Sequence, residues 1–216
     1  MESIQTELSV KIESDSTCYF MKSLASPRER ILTTATRLFY QRGVRATGID
    51  QIIAEAAVAK ATLYYHFPSK SDLVRAYLQR RHKEWIGEFA ARLDKVHPKG
   101  LAALADALGI WFSSGDFNGC AFINVTMEAA NDEWRQVSCA HKDALRLLIE
   151  GLIGESLAAE DRSQLAGRAL ILVEGMIVRF QMTRDPAVVD DGRAILTLLE
   201  AQRLNDSAQR RTRCRR

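Results

Sequence analysis

The run Lys60-Ala61-Thr62-Leu63-Tyr64-Tyr65-His66, with Lys70 just beyond it, gathers two ammonium groups, a hydroxyl, two phenols and an imidazole into a short stretch. Ammonium groups neutralise phosphates, and Thr, Tyr and His side chains donate to phosphate oxygens or reach the edges of stacked bases. The chemistry is that of gripping and reading a nucleic acid. Nothing comparable is offered for covalent catalysis. His66, His82, His97 and His141 stand far apart with no HxxxH or HExxH spacing, and no glycine-rich phosphate loop follows a strand. Cys18, Cys120, Cys139 and Cys214 form no CxxC pair. No metal and no cofactor are expected, and the chain is not expected to be an enzyme.

Those side chains need short helices to present them, and the flanking sequence supplies the boundaries. Ser26-Pro27-Arg28-Glu29 has the form of a capping box, with proline at the first helical position. Ile31, Leu32, Ala35, Leu38 and Phe39 then recur on one helical face, and Gly43 is placed to end that helix. Thr47-Gly48-Ile49-Asp50 repeats the cap pattern ahead of a second short helix carrying Ile49, Ile52, Ile53 and Ala56. The period breaks at Ala57-Val58-Ala59. A third helix, Lys60 to His66, stops before Pro68, because a residue preceding proline resists the helical region. Ser69-Lys70-Ser71-Asp72 opens a long fourth helix with Leu73, Val74, Tyr77, Leu78, Trp85, Phe89 and Leu93 on its apolar side. Two short helices joined by a tight turn, with another behind them, make a helix-turn-helix spanning about residues 48–67.

The rest of the chain is equally helical in pattern. Only 4 prolines and 12 glycines interrupt 216 residues that are 47% hydrophobic, and no alternating strand pattern occurs, so the fold class is all-α. The expected organisation is a loose arm over 1–24, a DNA-binding domain over 25–85, a helical regulatory and dimerisation domain over 86–205 and a basic tail over 206–216. Charge follows this division. Residues 26–85 carry eleven Lys/Arg against five Asp/Glu, whereas residues 86–205 carry twelve against seventeen. A basic module joined to an acidic one suits one part facing nucleic acid and another facing something else. No apolar run approaches the roughly 18 residues of a membrane span, and no signal pattern opens the chain, so a cytoplasmic protein without membrane contact is expected.

Arg28-Glu29-Arg30-Ile31-Leu32, Leu38-Phe39, Gly43, Thr47, Ile52-Ile53-Ala54, Val58, Thr62-Leu63-Tyr64-Tyr65-His66-Phe67 and Lys70 together resemble the TetR family of transcriptional regulators. The resemblance covers roughly residues 26–75. It implies that Thr47 caps the second helix and touches a phosphate, and that Lys60, Ala61 and Thr62 lead the recognition helix into the major groove. It further implies that Tyr64, Tyr65 and His66 contact phosphate, sugar or base, and that Lys70 holds a phosphate. Tyr64 and His66 also suit packing roles. Two departures stand out: the family usually has glycine where this chain has Ala57, and often serine where it has Ala59. A left-handed alanine costs roughly 1 to 2 kcal/mol, and a missing cap about 1 more.

The resemblance implies a double-stranded operator, a homodimer through the last two helices, a small hydrophobic or aromatic effector and, by family default, repression. A DNA-binding architectural or activating protein without a ligand is the second reading. Polar and aromatic residues among apolar ones nominate an effector site: Trp111, Phe112, Phe117, Cys120, Phe122, Asn124, Glu128, Trp134, Glu174 and Arg179. Most of the aromatics equally fit a core. Glu174, a carboxylate in an apolar helix, needs a partner such as Arg179 or a ligand. Cys120, at an expected helix start, fits either a redox-sensing thiol or a small packing residue. Further helices are expected from about Leu101, from Cys120 to Ala130, from Asp132 to Gly154, from an Asp161 cap to Thr183, and from Pro186 to about Asn205.

Overall fold

A computed structural model describes residues 25–155 and 157–213, with side chains described through residue 201. The expected arm over 1–24 lies outside the described residues. Every regular element described is a helix. They are α1 (Pro27–Arg42), α2 (Ile49–Ala56), α3 (Lys60–His66), α4 (Lys70–Lys95), α5 (Ala103–Phe112), α6 (Ala121–Glu128), α7 (Asp132–Ile153), α8 (Ala159–Thr183) and α9 (Ala187–Arg213). The chain forms two compact units whose seam falls inside α4, between Tyr77 and Leu78.

In the first unit, Ser26 Oγ accepts the Glu29 N–H at 3.3 Å and Pro27 takes the first turn of α1. The Glu29 carboxylate takes the Thr33 hydroxyl at 3.0 Å. Gly43 ends the helix at φ 85°, in the region that favours glycine. Ile31, Ala35, Leu38, Ile52, Leu63, Leu73 and Val74 are fully buried together, and Phe39 lies against Tyr77 with ring centroids 5.6 Å apart.

The second expected cap is not made. Gly48, not Thr47, stands at the N-cap of α2 and offers no side chain. Thr47 is wholly buried, donating its hydroxyl to the Gly43 carbonyl at 2.7 Å. It ties the α1–α2 connection from inside, so its hydroxyl is engaged where a phosphate cannot reach. The third cap is kept in altered form: Ser69 Oγ accepts the Asp72 N–H at 3.1 Å and donates to Asp72 Oδ2 at 2.7 Å.

The turn between α2 and α3 adopts the strained geometry that the resemblance implies. Ala57 has φ 51° and ψ 53°, a left-handed conformation for a residue with a Cβ. The Val58 N–H reaches back to the Ile53 carbonyl at 3.3 Å, and Arg30 Nη2 donates to the Ala57 carbonyl at 3.1 Å. That guanidinium, from α1, holds the turn where glycine is missing. Ala59 caps α3 without a side-chain hydrogen bond. Ala59→Ser supplies the absent acceptor and is expected to stabilise this unit by about 1 kcal/mol, read as a higher urea midpoint with an unchanged slope.

The second unit is built on α7, α8 and α9, with α5 against α8 and α9, and α6 against α7. Arg193 on α9 donates Nε and Nη2 to Asp106 Oδ1 on α5 at 2.9 and 2.6 Å, and Glu200 accepts the Leu101 N–H at 3.1 Å. Two expected boundaries move. Helix α8 starts at Ala159 behind an Ala158 N-cap, which leaves Asp161 in the first turn instead of capping it. Helix α9 runs through Arg213, so residues 206–213 are helical backbone and not a tail, while residues 214–216 lie outside the described residues.

Candidate functional site

Helix α3 has only seven residues, too few to persist alone. What fixes it is Leu63, fully buried beside Ile52, with Ile49, Ile53 and Val58 half-buried around the turn. Anchoring through Leu63 turns the flanking side chains outward: Lys60 and Ala61 are exposed, Tyr64 is 41% exposed and Tyr65 83%. Leaving a tyrosine so open forgoes about 2 kcal/mol of burial, which argues for another use of that face. Thr62 and His66 are half-buried, and His66 meets the Tyr65 ring edge-on at 5.0 Å. Lys60 Nζ lies 3.7 Å from Asp50 Oδ1 on α2, an exposed pair that a phosphate can displace. Lys70 opens α4, where backbone N–H groups also favour an anion.

The second unit encloses a cavity among Arg81, Trp85, Trp111, Cys120, Ala121, Phe122 and His141. It is small, with room for about one water. His141 organises one wall. Its ring stacks on Phe122 with centroids 3.7 Å apart, meets Trp85 edge-on at 5.3 Å, and sets Nδ1 3.2 Å from Nδ1 of His82. Burial, helped by the positive charge of Lys142, His82 and Arg81, pushes the His141 pKa down to about 3, so the ring is neutral at physiological pH. An Nδ1 to Nδ1 hydrogen bond needs one nitrogen to donate and the other to accept. The indole Nε1–H of Trp85 is buried without a hydrogen-bond partner.

Residues 31–77 match the sequence profile described as bacterial regulatory proteins, tetR family. A TetR-family transcriptional regulator of Streptomyces coelicolor, SCO4454, shares this fold with a TM-score of 0.71 and 28% identity, over 87% of this chain and 94% of that one. The chain belongs to the TetR family. Two other relatives show where the likeness concentrates. The regulator LmrA of Bacillus subtilis is 42% identical over 64 residues, 30% of this chain and 34% of that protein. An uncharacterised HTH-type regulator of Lactococcus lactis, from the lacX 3' region, is 25% identical over 177 residues, 78% of this chain and 90% of that protein. This TetR-family chain is therefore a DNA-binding transcriptional regulator, and none of its described helices is long and apolar enough to cross a membrane.

Of the regulator's ten nominated effector residues, three line the cavity: Trp111, Cys120 and Phe122. Phe112 stacks on Phe180 at 4.4 Å, Phe117 meets Phe180 edge-on at 5.3 Å, and Arg184 covers Phe117 from 5.1 Å. These form an aromatic cluster that joins the cavity wall through Trp111, which meets Phe117 edge-on at 4.9 Å. Asn124 donates to the Asn118 carbonyl and accepts from Gln181, so it is a structural tie. Trp134 is buried in the first turn of α7, Glu128 is half-buried on α6, and Arg179 is exposed. Glu174 finds its partner across the helices in Lys142, at 3.2 Å, and not in Arg179. Lys142 Nζ also lies 3.7 Å from Cys120 Sγ.

Sequence reasoning missed Arg81, His82, Trp85, Ala121, Lys142 and His141. For His141 the signal existed: Trp134, Ser138, His141, Leu145 and Ile149 are buried at spacings of one helical face, and a histidine on such a stripe must be satisfied inside. Trp85 was read as an apolar residue, because its unmet N–H becomes visible only once its neighbours are placed.

Proposed function

We propose that this regulator is a homodimeric repressor that inserts two α3 helices into successive major-groove segments of a near-palindromic operator and is released by a small effector bound in its second unit. The exposure of Tyr65 beside the buried anchor Leu63 carries this reading. Lys60, Ala61, Thr62, Tyr64, Tyr65 and His66 form the reading face, and Lys70 with the start of α4 holds a phosphate. Thr47 contributes by fixing the α1–α2 connection. Selection from random duplexes at fixed salt tests the proposal: it should yield two inverted half-sites about one helical turn, 34–36 Å, apart. Recovery of sequences without a repeated half-site would count against a dimeric reader.

Helix α8 supports the dimer. Gly167, Ile171, Gly175, Val178 and Met182 follow one another at spacings of three and four, and Ile171 and Met182 are 72% and 78% exposed. Exposed Ile195 and Leu198 on α9 extend the apolar surface. Two glycines flanking an exposed isoleucine let a second helix approach closely, as an isologous four-helix contact requires. Ile171→Glu places a charge on a solvent-facing position of the monomer, so folding should survive. Light scattering should report a monomer, with operator affinity at least a hundredfold weaker; an intact dimer would move the interface elsewhere.

Release by an effector rests on α4, which begins in the DNA-binding unit at Lys70 and carries His82 and Trp85 in the second unit. A ligand in the cavity presses on that helix, and a shift of a few ångströms spoils the match to two half-sites.

A further inference from the structure

Helix α3 has one fully buried side chain, Leu63, and its N-cap, Ala59, makes no side-chain hydrogen bond. A single anchor fixes a point on a helix and leaves its direction open, and seven residues are too few to hold themselves rigid. Two arginines from the first turn of α1 supply the missing constraints. Arg30 Nη2 donates at 3.1 Å to the carbonyl of Ala57, in the left-handed turn ahead of α3. Arg28 lies over the ring of Phe67, the residue that ends α3, with its Cζ 5.2 Å from the centroid. One side chain thus holds the approach to α3 and the other its exit. Both contacts are firm. Arg30 Nε is buried with no hydrogen-bond partner, so the guanidinium has given up hydration to reach that carbonyl. Phe67 is itself buried, which makes its ring a fixed platform for a planar cation.

We propose that Arg28 and Arg30 are positioning residues for operator recognition, bracing α3 at its two ends and setting the angle at which Lys60 to His66 meet the major groove. The proposal rests on the reading of α3 as the recognition helix. A tilt about Leu63 displaces the ends of α3 most, and exposed Lys60 and Tyr65 stand near those ends. Hydrogen bonds to base edges are exacting in distance and angle, whereas attraction to phosphates persists over several ångströms. Loss of the brace therefore lowers discrimination between sequences more than it lowers general affinity for DNA. Loss of a phosphate contact weakens every duplex alike and reduces the dependence on salt.

The test uses Arg28→Met and Arg30→Met in the full-length protein, because methionine keeps much of the apolar stem and removes the guanidinium. Affinity for the operator recovered by selection and for an unrelated duplex is measured across a range of salt, below the thermal midpoint of each variant. Each substitution should narrow the ratio of the two affinities roughly threefold or more, and the pair together roughly tenfold or more. The slope of log affinity against log salt on the unrelated duplex should not change. Arg30→Lys, which restores a donor on a similar stem, should recover most of the ratio. If the double variant does not fold, the single variants decide by the same ratio. Equal weakening on both duplexes, with the slope reduced by about one per arginine, makes these residues phosphate contacts and overturns the brace. An unchanged ratio overturns it too, while Tyr65→Ala separates the two failures. If Tyr65→Ala still weakens operator binding, only the brace falls; if it does not, the reading of α3 falls and the brace with it.

Discussion

Replacing Tyr65 with alanine is expected to weaken operator binding by roughly ten- to a hundredfold, about 1 to 3 kcal/mol, with no change in thermal midpoint or dimerisation. The two halves of that outcome come from one observation, the 83% exposure of Tyr65. A side chain so open contributes little to the fold, so removing it leaves the core intact. Leu63 gives the contrast. It is wholly buried two residues away, and Leu63→Ala should cost about 2 to 5 kcal/mol of stability by opening a cavity under α3. Lys70→Ala should weaken binding on all sequences alike and reduce the slope of log affinity against log salt by about one, as loss of one phosphate contact requires. A gel-shift titration at fixed salt decides the first case. Unchanged affinity for Tyr65→Ala would remove this face from the operator contact.

How far the sequence reveals the molecule differs between its two units. The first announces itself because its devices are local. Ser26 and Ser69 cap within three residues of themselves, Gly43 stops a helix by its own conformational freedom, and a proline two residues beyond His66 ends α3. The strained turn at Ala57 was foreshadowed only by the resemblance, in which glycine usually stands at that position. Thr47 was misjudged because a hydroxyl ahead of a helix serves equally to cap that helix or to tie back to the previous one. Only the 2.7 Å bond to Gly43 separates these uses. In the second unit the helices and their apolar stripes were legible from periodicity, whereas the cavity was not. Its walls come from α4, α5, α6 and α7, and the partners that define its charge, Lys142 with Glu174 and His82 with His141, are far apart in sequence. Composition places a tryptophan in a core; it does not say that the indole N–H stays unmatched there.

Acid should unfold the second unit through His141. Burial, with Lys142, His82 and Arg81 adding to it, holds its folded pKa at about 3, below the ordinary 6.5. A base whose pKa is depressed by folding binds its proton more readily in the unfolded chain. Stability is therefore complete above pH 6.5 and declines as the pH falls through the interval from 6.5 to about 3, the unfolded state taking up the extra proton. Between pH 7.5 and 5 the loss from this one ring is about 2 kcal/mol, since each unit of differential pKa is worth about 1.4 kcal/mol and only the upper part of the interval is crossed. His141→Phe preserves a flat ring against Phe122 and abolishes the titration. Urea midpoints measured from pH 7.5 to 5 should fall more steeply for the native protein than for the variant, the difference amounting to about 2 kcal/mol whatever other carboxylates contribute to both. Parallel curves would mean that His141 is protonated in the folded protein without penalty.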